Sequence, residues 1–154
     1  MLKRLTIAAI AALSLSPVAK ANPVEDYIYS NPVLEAVHSS GTRILFKDPS
    51  CSRNIYGSYN SQTDVMVLCV ANHPHLAELG DTIRHETFHI IQMCNGGPVM
   101  SLTQLFKYAQ PTDHEFISQY DHIKQHIELE ANIAARELTD AQITEHFTNA
   151  CLSS

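Results

Sequence analysis

The segment His85-Glu86-Thr87-Phe88-His89 carries the residues in this chain that are best suited to chemistry. It has the pattern H-E-x-x-H, and residues four apart on a helix lie one turn apart on the same face. Two imidazoles in that arrangement can bind one metal ion, and the glutamate between them can take a proton from a water molecule beside the ion. The pattern predicts that His85 and His89 bind zinc and that Glu86 is a general base.

A helix that carries two histidines by chance is the competing interpretation, and the nine histidines of the chain favour such chance matches. A catalytic zinc site needs a third protein ligand and keeps one position open for water. Glu128 is the best candidate for that ligand. On a helix it shares one face with Ala131, Asn132 and Ala135, and the two alanines let a second helix approach closely. Taken alone, Glu128 is best interpreted as a solvated helix carboxylate. In a chain that also carries H-E-x-x-H, the third ligand is the favoured interpretation.

Together the two motifs resemble those of the gluzincin group of zinc metallopeptidases, where H-E-x-x-H is followed by E-x-x-A-[DN] on a later helix. The stretch E-L-E-A-N-I-A-A-R-E-L is similar to the third-ligand helix of immunity-type, minigluzincin-like small peptidases. It also resembles the corresponding helix of membrane peptidases that process prenylated or misfolded proteins. The resemblance implies one Zn²⁺ ion on His85, His89 and Glu128. It further implies that Asn132 braces a histidine from behind the metal.

The resemblance covers two short segments, and the chain departs from the immunity-type pattern in three ways. The separation between His89 and Glu128 is longer than in those compact enzymes. Ile133 stands where an aromatic residue is usual, and Arg136-Glu137-Leu138-Thr139 stands where L-L-M-P follows. These departures concern the subfamily and its substrate, and they leave the metal chemistry intact.

A hydrolytic site also needs a donor that stabilises the oxyanion of the tetrahedral intermediate. Tyr108, His114 and Tyr120 lie between the two metal segments and are the candidates. His122 and His126 are spaced four apart, so they either bind a second ion or form an exposed polar face, and the second is favoured. In peptidases of this type a substrate pairs with an edge strand, for which residues 57–67 are the candidate.

The first 21 residues have the features of a secretory signal peptide. Lys3 and Arg4 precede an apolar run over residues 5–15, and Ala19-Lys20-Ala21 supplies a cleavage site. We expect a secreted or periplasmic protein after cleavage near Ala21, with an uncleaved anchor as the alternative, and no stable membrane span. Residues 22–154 are then expected to form a single zincin-like metallopeptidase domain.

Four cysteines remain after that signal, and an even number in an exported chain predicts two disulfides. Three pairings are possible. We favour Cys51–Cys69, which closes the strand region, and Cys94–Cys151, which ties the last helix to the metal helix. Free buried thiols or metal ligands are the alternative, and no C-x-x-C spacing supports a zinc–cysteine site.

The apolar pattern predicts an α+β fold in which a small antiparallel sheet packs on a mostly helical, zincin-like core. The predicted metal helix has Asp81 as its N-cap, ends at Asn95-Gly96-Gly97-Pro98, and carries Gln92 as a hydrogen bonder at the core edge. Its buried stripe consists of Ile83, Ile90, Ile91 and Cys94.

The other predicted elements are a helix over 24–38, a strand over 43–46, a hairpin of 54–59 and 63–70, a short helix over 101–108, a helix capped by Asp113 that runs through Tyr120, the Glu128 helix to about Leu138, and a last helix from Thr139 or Asp140 to about Cys151.

The leading hypothesis is an exported zinc metallopeptidase that acts on peptide or protein substrates. A zinc-binding or structural module without turnover, and a metal-dependent amidase acting on a non-peptide or cell-wall substrate, are the alternatives. The net charge of −6 and the lack of a basic cluster argue against nucleic acid as a partner.

Overall fold

The computed structural model describes residues 22–153, apart from the side chains of residues 122 and 123. The expected signal peptide, residues 1–21, lies outside the described residues. The helices are α1 (Pro23–Ser30), α2 (Pro32–Ser39), α3 (Leu76–Asn95), α4 (Leu102–Tyr108), α5 (Pro111–Ile117), α6 (His122–Glu137) and α7 (Asp140–Phe147). The strands are β1 (Arg43–Leu45), β2 (Gly57–Asn60) and β3 (Val65–Leu68). This arrangement confirms the α+β class.

The sheet has the order β1-β3-β2 and is mixed, not antiparallel throughout. β2 and β3 form the expected antiparallel hairpin, with Gly57 opposite Leu68. β1 instead pairs parallel to β3, with Arg43 opposite Val65. The reason is that residues 46–56 pass the end of β3 and enter β2 at its far side, so β1 and β3 run the same way. All four residues of β3 are buried, as its continuous apolar run predicts.

The first predicted helix, over 24–38, is two helices that meet at Asn31. Pro32 lacks a backbone N–H and its ring disfavours helical geometry in the residue before it, so α1 ends before the proline. The Asn31 side-chain oxygen then caps α2 by accepting the N–H groups of Val33 at 3.0 Å and Leu34 at 3.1 Å. The break lets α2 turn its buried residues onto the core.

The predicted N-cap of the metal helix, Asp81, is wrong because the N-cap of α3 is His75, six residues earlier. Gly80 therefore lies inside the helix and does not end the preceding loop. A Cβ atom at Gly80 would lie 2.6 Å from the Tyr27 hydroxyl oxygen, so a larger residue here would require the end of the Tyr27 side chain to shift. The other end of α3 is as predicted, with Gly96 in the left-handed conformation at φ 75°.

Arg84 on α3 joins three parts of the fold. Its guanidinium pairs with Asp81 one turn earlier and donates to Asp140 Oδ1 at 2.7 Å, at the start of α7. It also donates to the backbone oxygen of Ala135 on α6 at 2.8 Å. One side chain thus fixes α6 and α7 relative to the helix that carries H-E-x-x-H.

α3 lies at the centre of the fold, where it packs against α2, α6, α7 and β2. Ile83, Ile90 and Ile91 form its predicted buried stripe, together with Phe88. Cys94 was expected on that stripe but is exposed, because it lies in the last turn, beyond the packed face. Burial of this apolar face provides the main stabilisation of the helix.

Two of the later helices have bounds that differ from the prediction. α5 begins at Pro111, and Asp113 is its third residue, where it accepts the Gln110 N–H at 2.7 Å instead of serving as the N-cap. α5 also ends at Ile117, before Tyr120, since Asp121 starts α6 as its N-cap. Thr139 caps α7 as expected, but α7 ends at Phe147 and not near Cys151, and a π-helical segment, Thr148–Leu152, follows it.

Both expected disulfides are present, Cys51–Cys69 and Cys94–Cys151. The first fastens the crossing segment to the residue after β3. The second fastens the chain end to the last turn of α3. Disulfides of this kind are typical of proteins in oxidising compartments. None of the helices within residues 22–153 combines the length and the apolar character that a membrane crossing requires.

Candidate metal centre

α3 and α6 bring the three predicted ligands together. His85 Nε2 lies 3.1 Å from His89 Nε2, as expected for imidazoles one turn apart on a helix face. Glu128 Oε2 lies 3.4 Å from His85 Nε2 and 3.5 Å from His89 Nε2. The carboxylate comes from α6, where the buried Ala131, Ala134 and Ala135 let the two helices approach closely.

These separations fit a tetrahedral metal site. Four ligand atoms with bonds of roughly 2.0–2.1 Å to a tetrahedral ion lie about 3.3–3.4 Å from one another. The three observed separations, 3.1, 3.4 and 3.5 Å, match three corners of such a tetrahedron. The group His85, His89 and Glu128 can therefore hold a metal ion and leave one corner for another ligand.

No protein-family model, curated protein or solved structure matches this chain. The assignment of the site therefore rests on the geometry and chemistry of its own residues. Within the described side chains of residues 22–153, no other group of three His, Cys, Asp or Glu residues is placed to hold a metal ion.

Hydrogen bonds and charges link the three ligand residues to one another. The pKa of His89 is raised: burial lowers it, but the hydrogen bond to Glu128 and the charges of Glu86 and Glu128 outweigh that effect. The pKa of Glu128 is lowered to about 2, because hydrogen bonds from His85 and His89 outweigh its burial. A metal ion that binds here must displace protons, so binding becomes weaker as the pH falls.

Glu86 lies beside the ligands and is 6% exposed. Burial raises its pKa above the ordinary value, and the Glu128 charge adds to this, while His85, His89 and the backbone N–H of Tyr59 oppose it. β2 approaches Glu86 closely at Gly57. A Cβ atom there would lie 3.0 Å from Glu86 Oε1 and 2.6 Å from Thr82 Cγ2. Only glycine lets the strand lie this close to the carboxylate.

A cavity of about 520 Å³ opens beside His85 and Glu86. Residues 54–57, which lead into the edge strand β2, form part of its lining, and Phe116, Gln119 and Tyr120 form another part. The remaining lining residues are Asp81, Thr82, Asn132 and Ala135. The predicted edge, residues 57–67, thus contributes Gly57 at the cavity.

Of the three predicted oxyanion donors, the structure brings Tyr120 to the site. Its pKa is raised to about 12, first by burial, then by the charges of Glu128 and Glu86 and by a hydrogen bond to Glu128. A phenol with that pKa keeps its proton at neutral pH and is a hydrogen-bond donor. His114 and Tyr108 are exposed and do not line the cavity.

Asn132 lines the cavity, but its amide donates to Asp113 Oδ1 at 2.8 Å and not to a histidine. Asp113 is buried and also accepts from Arg136 at 3.0 Å. These bonds hold α5 on α6 and so place Phe116 in the cavity wall, where its ring lies 6.3 Å from that of His85. Neither the contacts of Asp113 nor the place of Phe116 in the cavity wall was predicted, since nothing in their local spacing marks them.

His89 is held instead by Gln92, whose Oε1 lies 2.9 Å from His89 Nδ1. Gln92 was expected to be a hydrogen bonder at the core edge, and its place three residues after His89 was the signal for this contact. His126 is half-buried, and its buried Nε2 has no hydrogen-bond partner among the residues that the structure describes. Because the His122 side chain lies outside the description, the predicted alternatives for this pair stay untested.

Proposed function

We propose that this protein is a zinc-dependent metallopeptidase. The observation that carries the proposal is the convergence of His85, His89 and Glu128 at tetrahedral separations beside the buried Glu86. Two histidines and one carboxylate form the ligand set of catalytic zinc in several hydrolases, where the fourth position is open. The adjacent cavity gives a substrate access to Glu86 and His85.

Zinc, when bound, lowers the pKa of a coordinated water and polarises the scissile carbonyl. Glu86 accepts a proton from the attacking water and later delivers it to the leaving amine, so the C–N bond breaks as water is added across it. Burial raises the pKa of Glu86, which favours a group that must both take and return a proton. Tyr120 donates a hydrogen bond to the developing oxyanion.

The two disulfides favour an oxidising location such as the periplasm or the extracellular medium. The signal-like residues 1–21 support the same proposal. We therefore place the peptidase outside the cytoplasm, where its substrates are exported or extracellular peptides and proteins.

The buried Glu86 also separates this proposal from a zinc-binding module without turnover. A structural site has four protein ligands and no need of a base. Here the described residues provide three ligands, and an ionisable carboxylate is buried beside them in spite of its desolvation cost. That cost is understandable if the carboxylate takes part in a reaction.

The test is to measure metal content and hydrolysis together on the purified mature protein. We expect one zinc per chain, cleavage of a fluorogenic peptide library, loss of both after chelation, and recovery on adding zinc. His85→Ala is expected to lose zinc and activity, whereas His75→Ala, at the exposed start of α3, is expected to keep both. A stoichiometric zinc protein that cleaves only a cell-wall amide would favour the amidase alternative, and one that cleaves nothing would favour the binding module.

Tyr120→Phe tests the oxyanion donor. Loss of one such donor costs about 10²–10³ in kcat. We expect a fall of that size with KM and zinc content little changed, because the ring still lines the cavity. Tyr108→Phe is the matched control, since that tyrosine is exposed and away from the cavity. Equal kcat values for Tyr120→Phe and the unmodified protein would exclude Tyr120 from this role.

Gly57→Ala tests the close approach of β2 to Glu86. The added methyl group meets Thr82 and Glu86, so the strand or the carboxylate must shift. A misplacement of about 1 Å at a reacting group can cost on the order of 10²-fold in rate. We expect kcat to fall by about that factor while zinc stays bound. Ser58→Ala, at the next and exposed position of β2, should retain full activity, and similar kinetics for both variants would contradict the argument.

A further inference from the structure

A chain of hydrogen bonds leads from His89 to a carboxylate buried in the core. His89 Nδ1 contacts Gln92 Oε1 at 2.9 Å, and Gln92 Nε2 donates to Glu130 Oε2 at 2.6 Å. Glu130 is fully buried, and its other oxygen accepts the backbone N–H groups of Val99, at 2.7 Å, and Met100. Neither the histidine motif nor the third-ligand motif assigns a role to Glu130.

The contacts of Gln92 determine which way its amide points. An amide nitrogen carries two hydrogens and accepts nothing. Gln92 Nε2 uses both, one on Glu130 Oε2 and one on the backbone oxygen of Ile127 at 2.9 Å. A flipped amide would place its oxygen against two acceptors, so the oxygen must face His89.

The orientation of the amide in turn determines the tautomer of His89. An amide oxygen only accepts, so the hydrogen bond requires a proton on His89 Nδ1. In the neutral ring the lone pair then lies on Nε2, the atom 3.1 Å from His85 Nε2 and 3.5 Å from Glu128. That is the tautomer a metal ligand needs.

We propose that Gln92 and Glu130 are positioning residues that hold His89 in its metal-binding tautomer, a claim that rests on the proposed metal site. Metal-binding histidines commonly donate directly to a carboxylate. Here glutamine extends that link by one residue, which lets a carboxylate on α6 act on a ligand on α3. Through the same carboxylate, the backbone at Val99 and Met100 is linked to the metal centre.

The first variant is Glu130→Gln, which keeps size and shape. Its amide oxygen can still accept from Val99 and Met100, but its NH₂ group then faces the NH₂ group of Gln92. Relief of that clash requires Gln92 to flip, which favours a proton on His89 Nε2. We expect zinc affinity to fall roughly 10–100-fold, as for other residues that orient metal ligands.

Two readouts test the inference. Zinc affinity is measured by competition with a chromogenic chelator, and ¹⁵N NMR of the metal-free protein at alkaline pH reports the His89 tautomer directly. We expect the Nδ1–H form in the unmodified protein and the Nε2–H form in Glu130→Gln. Glu137→Gln, an exposed position on the same helix, is the matched control and should change neither readout.

The exchanged pair, Gln92→Glu with Glu130→Gln, provides a rescue. A carboxylate at 92 again accepts from His89 Nδ1 and from the new amide at 130, so the Nδ1–H tautomer should return. Its second oxygen also faces the backbone oxygen of Ile127, so zinc affinity should recover only in part. If Glu130→Gln does not fold, Gln92→Met removes the acceptor beside His89 and tests the same claim. Unchanged tautomer and unchanged zinc affinity in these variants would overturn the inference. Absence of zinc binding by the unmodified protein would refute the proposed function. The tautomer measured by NMR would still show whether Gln92 and Glu130 orient His89.

Discussion

Glu86→Gln is expected to retain stoichiometric zinc, and its hydrolytic rate is expected to fall by about 10²–10⁴-fold. That is the range which general acid–base catalysis supplies. Glutamine keeps the shape of the side chain but cannot accept the proton of the attacking water. Zinc is retained because Glu86 is not among the three ligand residues. The measurements are kcat on the best peptide substrate and zinc content per chain. Glu78→Gln, an exposed glutamate in the first turn of the same helix, should retain full activity.

The same variant is expected to be more stable than the unmodified protein when both are metal-free at neutral pH. Burial raises the pKa of Glu86 in the folded state, so folding favours the protonated form. The stability linked to Glu86 is therefore present at low pH and is lost as the pH rises through its folded-state pKa. A neutral glutamine escapes that loss. If Glu86→Gln is inactive, binds zinc and is at least as stable as the unmodified protein, the loss of activity comes from the lost base and not from unfolding. Retained turnover would exclude Glu86 as the general base.

The parts of the site that the sequence predicted are those that depend on local periodicity. His85 and His89 lie on one face because a helix returns to the same face every fourth residue. Glu128 was assigned as the third ligand from the resemblance to the E-x-x-A-[DN] motif, and the structure places Glu128 at the histidines and the neighbouring Glu130 in the core. The small residues of α6 gave a physical reason for the close approach of the two helices.

The parts that were missed depend on contacts between distant segments. Gly80 precedes the predicted N-cap Asp81, but it lies inside α3. There the side chain of Tyr27, which is far away in sequence, packs against it. The parallel pairing of β1 depends on how residues 46–56 cross the end of β3, which no local pattern encodes. Asn132 was expected behind a histidine, yet Asp113 from α5 takes its amide. Such partners follow from the tertiary fold and not from spacing.

The largest expected effect on stability comes from removing Cys94–Cys151. A disulfide stabilises mainly by restricting the unfolded chain, and the effect grows with the length of the closed loop. The two cysteines are separated by 57 positions, for which the loop-entropy relation gives about 4 kcal/mol at 25 °C. Since total stabilities are roughly 5–15 kcal/mol, the double variant Cys94→Ala, Cys151→Ala should unfold at much lower urea concentration.

The second disulfide supplies the internal comparison. Cys51–Cys69 spans 18 positions, and the same relation gives about 3 kcal/mol for its removal. It lies next to the segment of residues 54–57 that forms part of the cavity lining, whereas Cys94 and Cys151 do not line that cavity. We therefore expect the pair at 51 and 69 to affect KM more, and the pair at 94 and 151 to affect the free energy of unfolding more. Urea titrations of the metal-free double variants measure the free energy of unfolding, and peptide kinetics on the zinc-loaded double variants measure KM. A larger loss of stability from the shorter loop would show that local packing around Cys51, and not loop entropy, determines the order.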